Sequence, residues 1–103
     1  MEGHSLISTD ILASYAADAA LGIKGVRGVV EGSRPRHHGV KVADEEGAIA
    51  VELHLAVDWG VKIPEVGAAV QVRVAEYLGT MADLTPATVE VIIDDIGPPP
   101  EGV

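Results

Sequence analysis

VDWGVKIPEV, residues 57 to 66, is where this 103-residue chain changes its hydrophobic period. Upstream of it, Ile49, Val51, Leu53, Leu55 and Val57 alternate with Glu52, His54 and Asp58. That is the two-residue period of a strand with one dry face and one wet face. Downstream, Ile63, Val66, Val70, Val74, Tyr77, Leu78 and Met81 form one stripe at helical spacing, with Glu65, Gln71, Arg73 and Glu76 on the polar side. Gly60 breaks the alternation. Pro64 suits the first helical turn, where its missing N–H has no partner to lose, and Glu65 meets the positive end of the helix. The stretch is a strand-to-helix joint. It also offers a candidate partner-binding set, Trp59, Gly60, Ile63, Pro64 and Glu65, because a tryptophan beside a helix start is the kind of residue that anchors an interface.

Working outward, Ser8 or Thr9 caps a helix that opens with Asp10 and runs through ILASYAADAALGI to Gly22 and Gly25. Ile11, Tyr15 and Ala19 share one of its faces, with Leu12, Ala16, Ala20 and Ile23 beside them. VRGVVEG, residues 26 to 32, reads as a short strand, and GSRPRHHG as a polar loop between strands. GVKVAD and the long strand, separated by Asp44-Glu45-Glu46-Gly47, make a hairpin. After DLTPAT, Val89, Val91 and Ile93 alternate with Thr88, Glu90 and Asp94 in a last strand. One-sided strands and one-sided helices bury their apolar faces most simply in two layers. The expected fold is therefore α+β, in the order α-β-β-β-α-β: a small, mostly antiparallel sheet of three or four strands with both helices on one face. The domain spans 7–96, with a flexible N-terminus at 1–6 and a proline-rich tail at 97–103.

Composition narrows the function. The chain has no cysteine, so disulfides, thiol nucleophiles and thiolate metal sites are excluded. No apolar run reaches the roughly 18 residues of a membrane span, and the start lacks the basic and apolar regions of a signal peptide, so a cytoplasmic protein is expected. The net charge of −9 disfavours general binding to nucleic acid or anionic lipid. It is unevenly spread. Between Lys24 and Lys41 lie five of the seven basic residues against one acid, a segment of +4, which leaves −13 on the remainder. Lys24, Arg27, Arg34, Arg36, His37, His38 and Lys41 are the candidate basic surface, suited to orienting the protein on an acidic partner.

With these elements in order, the chain resembles the alkaline shock protein family of bacterial envelope stress response proteins, also called Gls-type general stress proteins. The resemblance rests on Trp59, Gly60, Ile63, Pro64, Glu65 and Val66, on ISTDIL opening the first helix, on GIKGVRGV after it, on GVKV before the long strand and on TVEVIIDDI at the end. It covers roughly residues 7 to 96. Trp59 stands where tyrosine is common in the family, and the RPRHH loop is this chain's own. The resemblance implies a non-enzymatic protein linked to cell-envelope homeostasis. Such proteins act through protein contacts on the cytoplasmic side of the membrane, some held there by a small integral membrane partner and some self-associating.

Other constellations carry less. Gly22-Ile23-Lys24-Gly25 matches the GXXG spacing of KH nucleic-acid-binding domains, the alternative function for the basic segment, but a strand rather than a helix is expected after it; a helix C-cap closed by a left-handed glycine accounts for it. His37 and His38 are adjacent in a loop with no carboxylate at helical spacing, so no metal site is expected. Glu52, His54 and Asp58 share a wet strand face and could act together as acid and base, which requires a concave pocket around them. No nucleophile elbow, phosphate loop or zinc motif is present. No cofactor is expected, and the protein is expected not to be an enzyme.

Overall fold

The computed structural model describes residues 8–30 and 39–99, and places six elements in the expected order. These are α1 (Thr9–Leu21), β1 (Val26–Val29), β2 (Val40–Glu45), β3 (Ala48–Val57), α2 (Ile63–Ala82) and β4 (Thr88–Ile96). The ten-residue β3 is the centre of the sheet. β1 and β2 pair with it antiparallel and β4 pairs with it parallel. The antiparallel hairpin, the parallel return through α2 and both helices on one face make the two-layer α+β architecture expected from the sequence.

β1 and β2 use the same edge of β3. Val26–Val29 pairs with Leu55–Val57, and Val40–Glu45 pairs with Ala48–Leu53. Between them the His54 backbone bonds both pieces, its carbonyl accepting from Val30 N and its N–H donating to Gly39 O, each at 2.8 Å. The two strands are therefore one long strand interrupted at 31–38, a segment outside the described residues. Gly39 is what lets the halves meet. Its φ is +78°, and a Cβ there would run into the Val30 carbonyl and the Val29 side chain.

The β2–β3 turn places Glu46 and Gly47 at φ 56° and 91°, the doubly positive pattern of a two-residue hairpin turn, and Asp44 accepts the Gly47 N–H at 2.9 Å. Ser8 caps α1 by accepting from Ile11 N. α1 ends at Leu21 with Gly22 right-handed, at φ −81°, and the positive φ falls three residues later at Gly25. The expected left-handed cap is thus displaced to the residue that turns the chain into β1.

The core is aliphatic. Ile49, Val51, Leu53, Leu55 and Val57 of β3 lie buried against Val66, Val70, Val74 and Leu78 of α2 and Leu12, Ala16, Ala19 and Ala20 of α1. The alanines let α1 lie close on β1 and β2. On α1 the buried stripe is centred on Leu12 and Ala16; Ile11, expected inside, is exposed because it lies to one side of that stripe, while Tyr15 packs against Tyr77 of α2. Met81, last in the apolar stripe of α2, is also exposed.

Two substitutions test this account in urea denaturation. Leu53→Ala removes a fully buried side chain at the middle of β3 and is expected to cost about 2–5 kcal/mol. Gly39→Ala is expected to cost about 1–3 kcal/mol or more through strain and the clash with Val30. Gly28→Ala, with open space around it, should stay within about 0.5 kcal/mol of wild type. Equal losses at Gly39 and Gly28 would contradict the interrupted-strand reading.

Candidate functional site

The residues of the opening stretch gather at one end of the sheet. β3 ends at Val57, and Asp58 N donates to Gly25 O at 2.8 Å, closing that end against the start of β1. Gly60, at φ 88°, reverses the chain, and α2 starts at Ile63 with Pro64 in its first turn. Lys62 caps the helix by backbone alone, its carbonyl accepting from Glu65 N and Val66 N. Ile63 is half-buried; Pro64 and Glu65 are exposed. Trp59 is 54% exposed. Ile96, across from Val57 in the β3–β4 register, is 46% exposed, and Leu21, at the end of α1, is 50% exposed. Large apolar side chains are thus left outside the core where β3, β4 and α1 end.

The aromatic inventory sharpens this. The chain has one tryptophan, two tyrosines and no phenylalanine. Tyr15 and Tyr77 are spent joining the two helices, edge to face at 6.1 Å, with Arg73 stacked over Tyr77 at 5.7 Å. Trp59 has no such structural task. Its side chain shows about half its surface to solvent.

The candidate basic residues divide. Lys24 and Arg27 lie at the same end as Trp59, and Arg27 pairs loosely with Asp58 at 3.8 Å, both side chains about half exposed. Lys41 lies on β2, in register with Glu52. Arg34, Arg36, His37 and His38 lie outside the described residues. The GIKG segment leads directly into β1.

The open face of the sheet holds a group that the sequence only half announces. Glu52 and His54 do lie together, but the third member is Asp94 of β4, not Asp58. His54 Nε2 lies 2.7 Å from Glu52 Oε2, and Nδ1 lies 2.7 Å from Asp94 Oδ2. Asp94 reaches this face because it is the extra residue of a bulge: Leu55 pairs with Ile93 and Ala56 with Asp95. An ionised carboxylate only accepts, so both ring nitrogens must donate, and the arrangement is complete only with a protonated imidazolium. The hydrogen bond to Glu52, then that to Asp94, raise the His54 pKa above its ordinary 6.5, while burial acts the other way. With both nitrogens committed to carboxylates, His54 is a cross-strand tie between β3 and β4. The shallow depression lined by Arg73, Glu76, Tyr77, Gly79 and Thr80 lies on α2, away from this face. Among the described residues no group of three or more His, Cys, Asp or Glu is arranged to hold a metal ion, and no helix is long and apolar enough to cross a membrane.

The family model of alkaline shock protein 23, described as having a cell envelope-related function, matches residues 1–98. No curated protein matches the chain. Among solved structures, the MamM C-terminal domain has a TM-score of 0.63 at 19% identity, over 85% of this chain and 99% of that one. A variant of that domain in a manganese form gives 0.62 at 20%, over 85% and 99%, and one in a cadmium form 0.63 at 20%, over 85% and 98%. At these identities the likeness is one of fold.

The His54 tie sets a pH dependence. Because its folded pKa is raised, its contribution to stability is fully present below about pH 6.5 and is lost as pH rises through the folded value. For a half-exposed group the size should be under about 1 kcal/mol. Unfolding free energies between about pH 5 and about pH 9, a range that spans the ordinary histidine value and the raised one, should therefore fall more steeply for wild type than for His54→Gln. Parallel curves, or a His54 ring titrating at or below its ordinary value by NMR, would refute the tie.

Proposed function

The chain belongs to the alkaline shock protein 23 family, whose function is related to the cell envelope, and on that premise we propose that it is a non-enzymatic protein-binding module serving the envelope from the cytoplasmic side. Its contact is the turn at Trp59 with the start of α2, Ile63 to Glu65. The observation that carries this reading is the exposure of Trp59: the chain's one tryptophan is half in solvent, and Ile96 and Leu21, at the ends of β4 and α1, are exposed as well. A rigid aromatic beside a helix start, ringed by Arg27, Lys62, Asp58 and Glu65, has the apolar centre and charged rim of a protein interface. A protein partner also suits the charge. At −9 the chain repels phosphate, and among the described residues Lys24 and Arg27 lie apart from Lys41, so they form no continuous track for a nucleic-acid backbone. The partner class that fits a membrane-proximal role is a small integral membrane protein, with copies of this chain as a second class of partner.

Affinity capture of the tagged protein from crosslinked, detergent-solubilised cells, with nuclease treatment, tests this. A membrane protein should be retained after nuclease and lost with Trp59→Ala, a change expected to weaken binding by about 2 kcal/mol, roughly thirtyfold. The variant's unfolding free energy should remain within about 0.5 kcal/mol of wild type. Unchanged capture would remove Trp59 from the contact; nuclease-sensitive ribonucleoprotein would replace the reading with RNA binding.

A further inference from the structure

The outer side of β4 is an unpaired sheet edge. β4 pairs only with β3, and among the described residues no strand lies on its other side. Before the bulge at Asp94, Thr88 to Ile93 is regular, in unbroken register with Ala50 to Leu55. Such an edge displays backbone N–H and C=O groups that template another strand. Among the described residues one side chain engages this backbone: Gln71 of α2 donates to the Val89 carbonyl at 2.9 Å.

The apolar row at this edge is incomplete. Val51, Leu53 and Leu55 of β3 are fully buried, whereas their register partners Val89, Val91 and Ile93 are only half-buried although they face the same helix layer. A further strand with apolar residues at alternate positions would finish that row. On the open face the same strand shows Glu90 and Ile92, then Asp94 and Asp95. Asp94 is held by His54; Glu90 and Asp95 form no ion pair among the described residues.

Charge selects the occupant. Pairing of two β4 strands about a two-fold axis would bring Glu90 and Asp95 of both copies to one seam, between molecules of net charge −9. The same carboxylates that guard the edge against its own copies attract a cation. We propose that the β4 edge is a docking site for an extended basic segment of another protein, which adds as a strand with apolar residues toward the helix layer and Lys or Arg toward Glu90 and Asp95. The site is separate from the Trp59 turn and does not depend on it.

The probe is a fluorescein-labelled octapeptide of alternating valine and lysine, with a valine–glutamate peptide as control, added to the full chain at low salt and read by anisotropy and amide hydrogen exchange. The lysine peptide is expected to bind and to slow exchange within Thr88–Ile93. The double variant Glu90→Lys, Asp95→Lys should lose about tenfold in affinity with its circular dichroism unchanged, and the difference should shrink with added salt. Trp59→Ala should bind as wild type. Absence of binding, equal binding of the glutamate peptide, or protection elsewhere in the chain would overturn the proposal. Concentration-dependent protection of the same amides without peptide would overturn it in favour of a second copy.

Discussion

Among the described residues β3 is the only element whose two edges and two faces are all in use. One edge carries β1 and β2, the other carries β4, one face buries Ile49 to Val57 beneath the helices, and the other carries His54. A strand in that position fixes the rest by register: a slip of one residue would send Leu53 and Leu55 to water and Glu52 and His54 into the core. Burial of the alternating row is therefore what makes the hairpin, the interrupted edge strand and the parallel return of β4 mutually consistent. Gly39 is a second constraint on the same strand, because among the described residues only there must two backbone segments approach more closely than a Cβ permits.

Much of this was legible because period is a direct imprint of burial. The alternation from Ile49 to Val57 and the stripe from Ile63 to Leu78 each record which side of an element is dry, so element type, order and layer arrangement followed from them. Ile11 and the bulge did not. A helix face read from spacing cannot say where the stripe is centred when alanines flank it on both sides, and here it is centred on Leu12 and Ala16 and leaves Ile11 outside. The His54 cluster shows the same limit. Its Glu52 half is intrastrand and visible as i, i+2, but its Asp94 half needs the register of two strands forty residues apart and a bulge that shifts one residue onto the open face. The polar position of Asp94 in TVEVIID, taken with a parallel return, was the signal available.

At the candidate contact, the sequence located the residues and left their role open. Glycine and proline are demanded by the turn whatever binds there, so they cannot report function. Trp59 can, since its exposure is not required by the joint: with a core made of Val, Leu, Ile and Ala, a large ring folded inward would have had ample apolar surface to cover. Keeping it at the rim forgoes that burial, on the order of 1.5–3 kcal/mol for a large apolar side chain. That exposure, in a domain with three aromatics, is what supports the proposed contact at Trp59.

The family's envelope function and this chain's charge together restrict how the two can meet. On the proposed reading the chain meets the negatively charged cytoplasmic leaflet, and a domain at −9 is repelled by it within the roughly 8 Å over which physiological salt leaves surface charges visible. Among the described residues no helix can span the bilayer, and the polar face of α2, with Arg73 as its lone cation beside Glu65 and Glu76, lacks the basic character by which interfacial helices hold lipid. Among the described residues direct adsorption is thus disfavoured by the sign of the field and by the acidic polar face of α2. This charge balance supports the proposed reading, in which proximity to the envelope comes from a protein that is itself anchored. The short flanks such proteins keep on the cytoplasmic side are rich in Lys and Arg. An acidic domain that a lipid surface rejects is, for the same electrostatic reason, one that such a flank attracts.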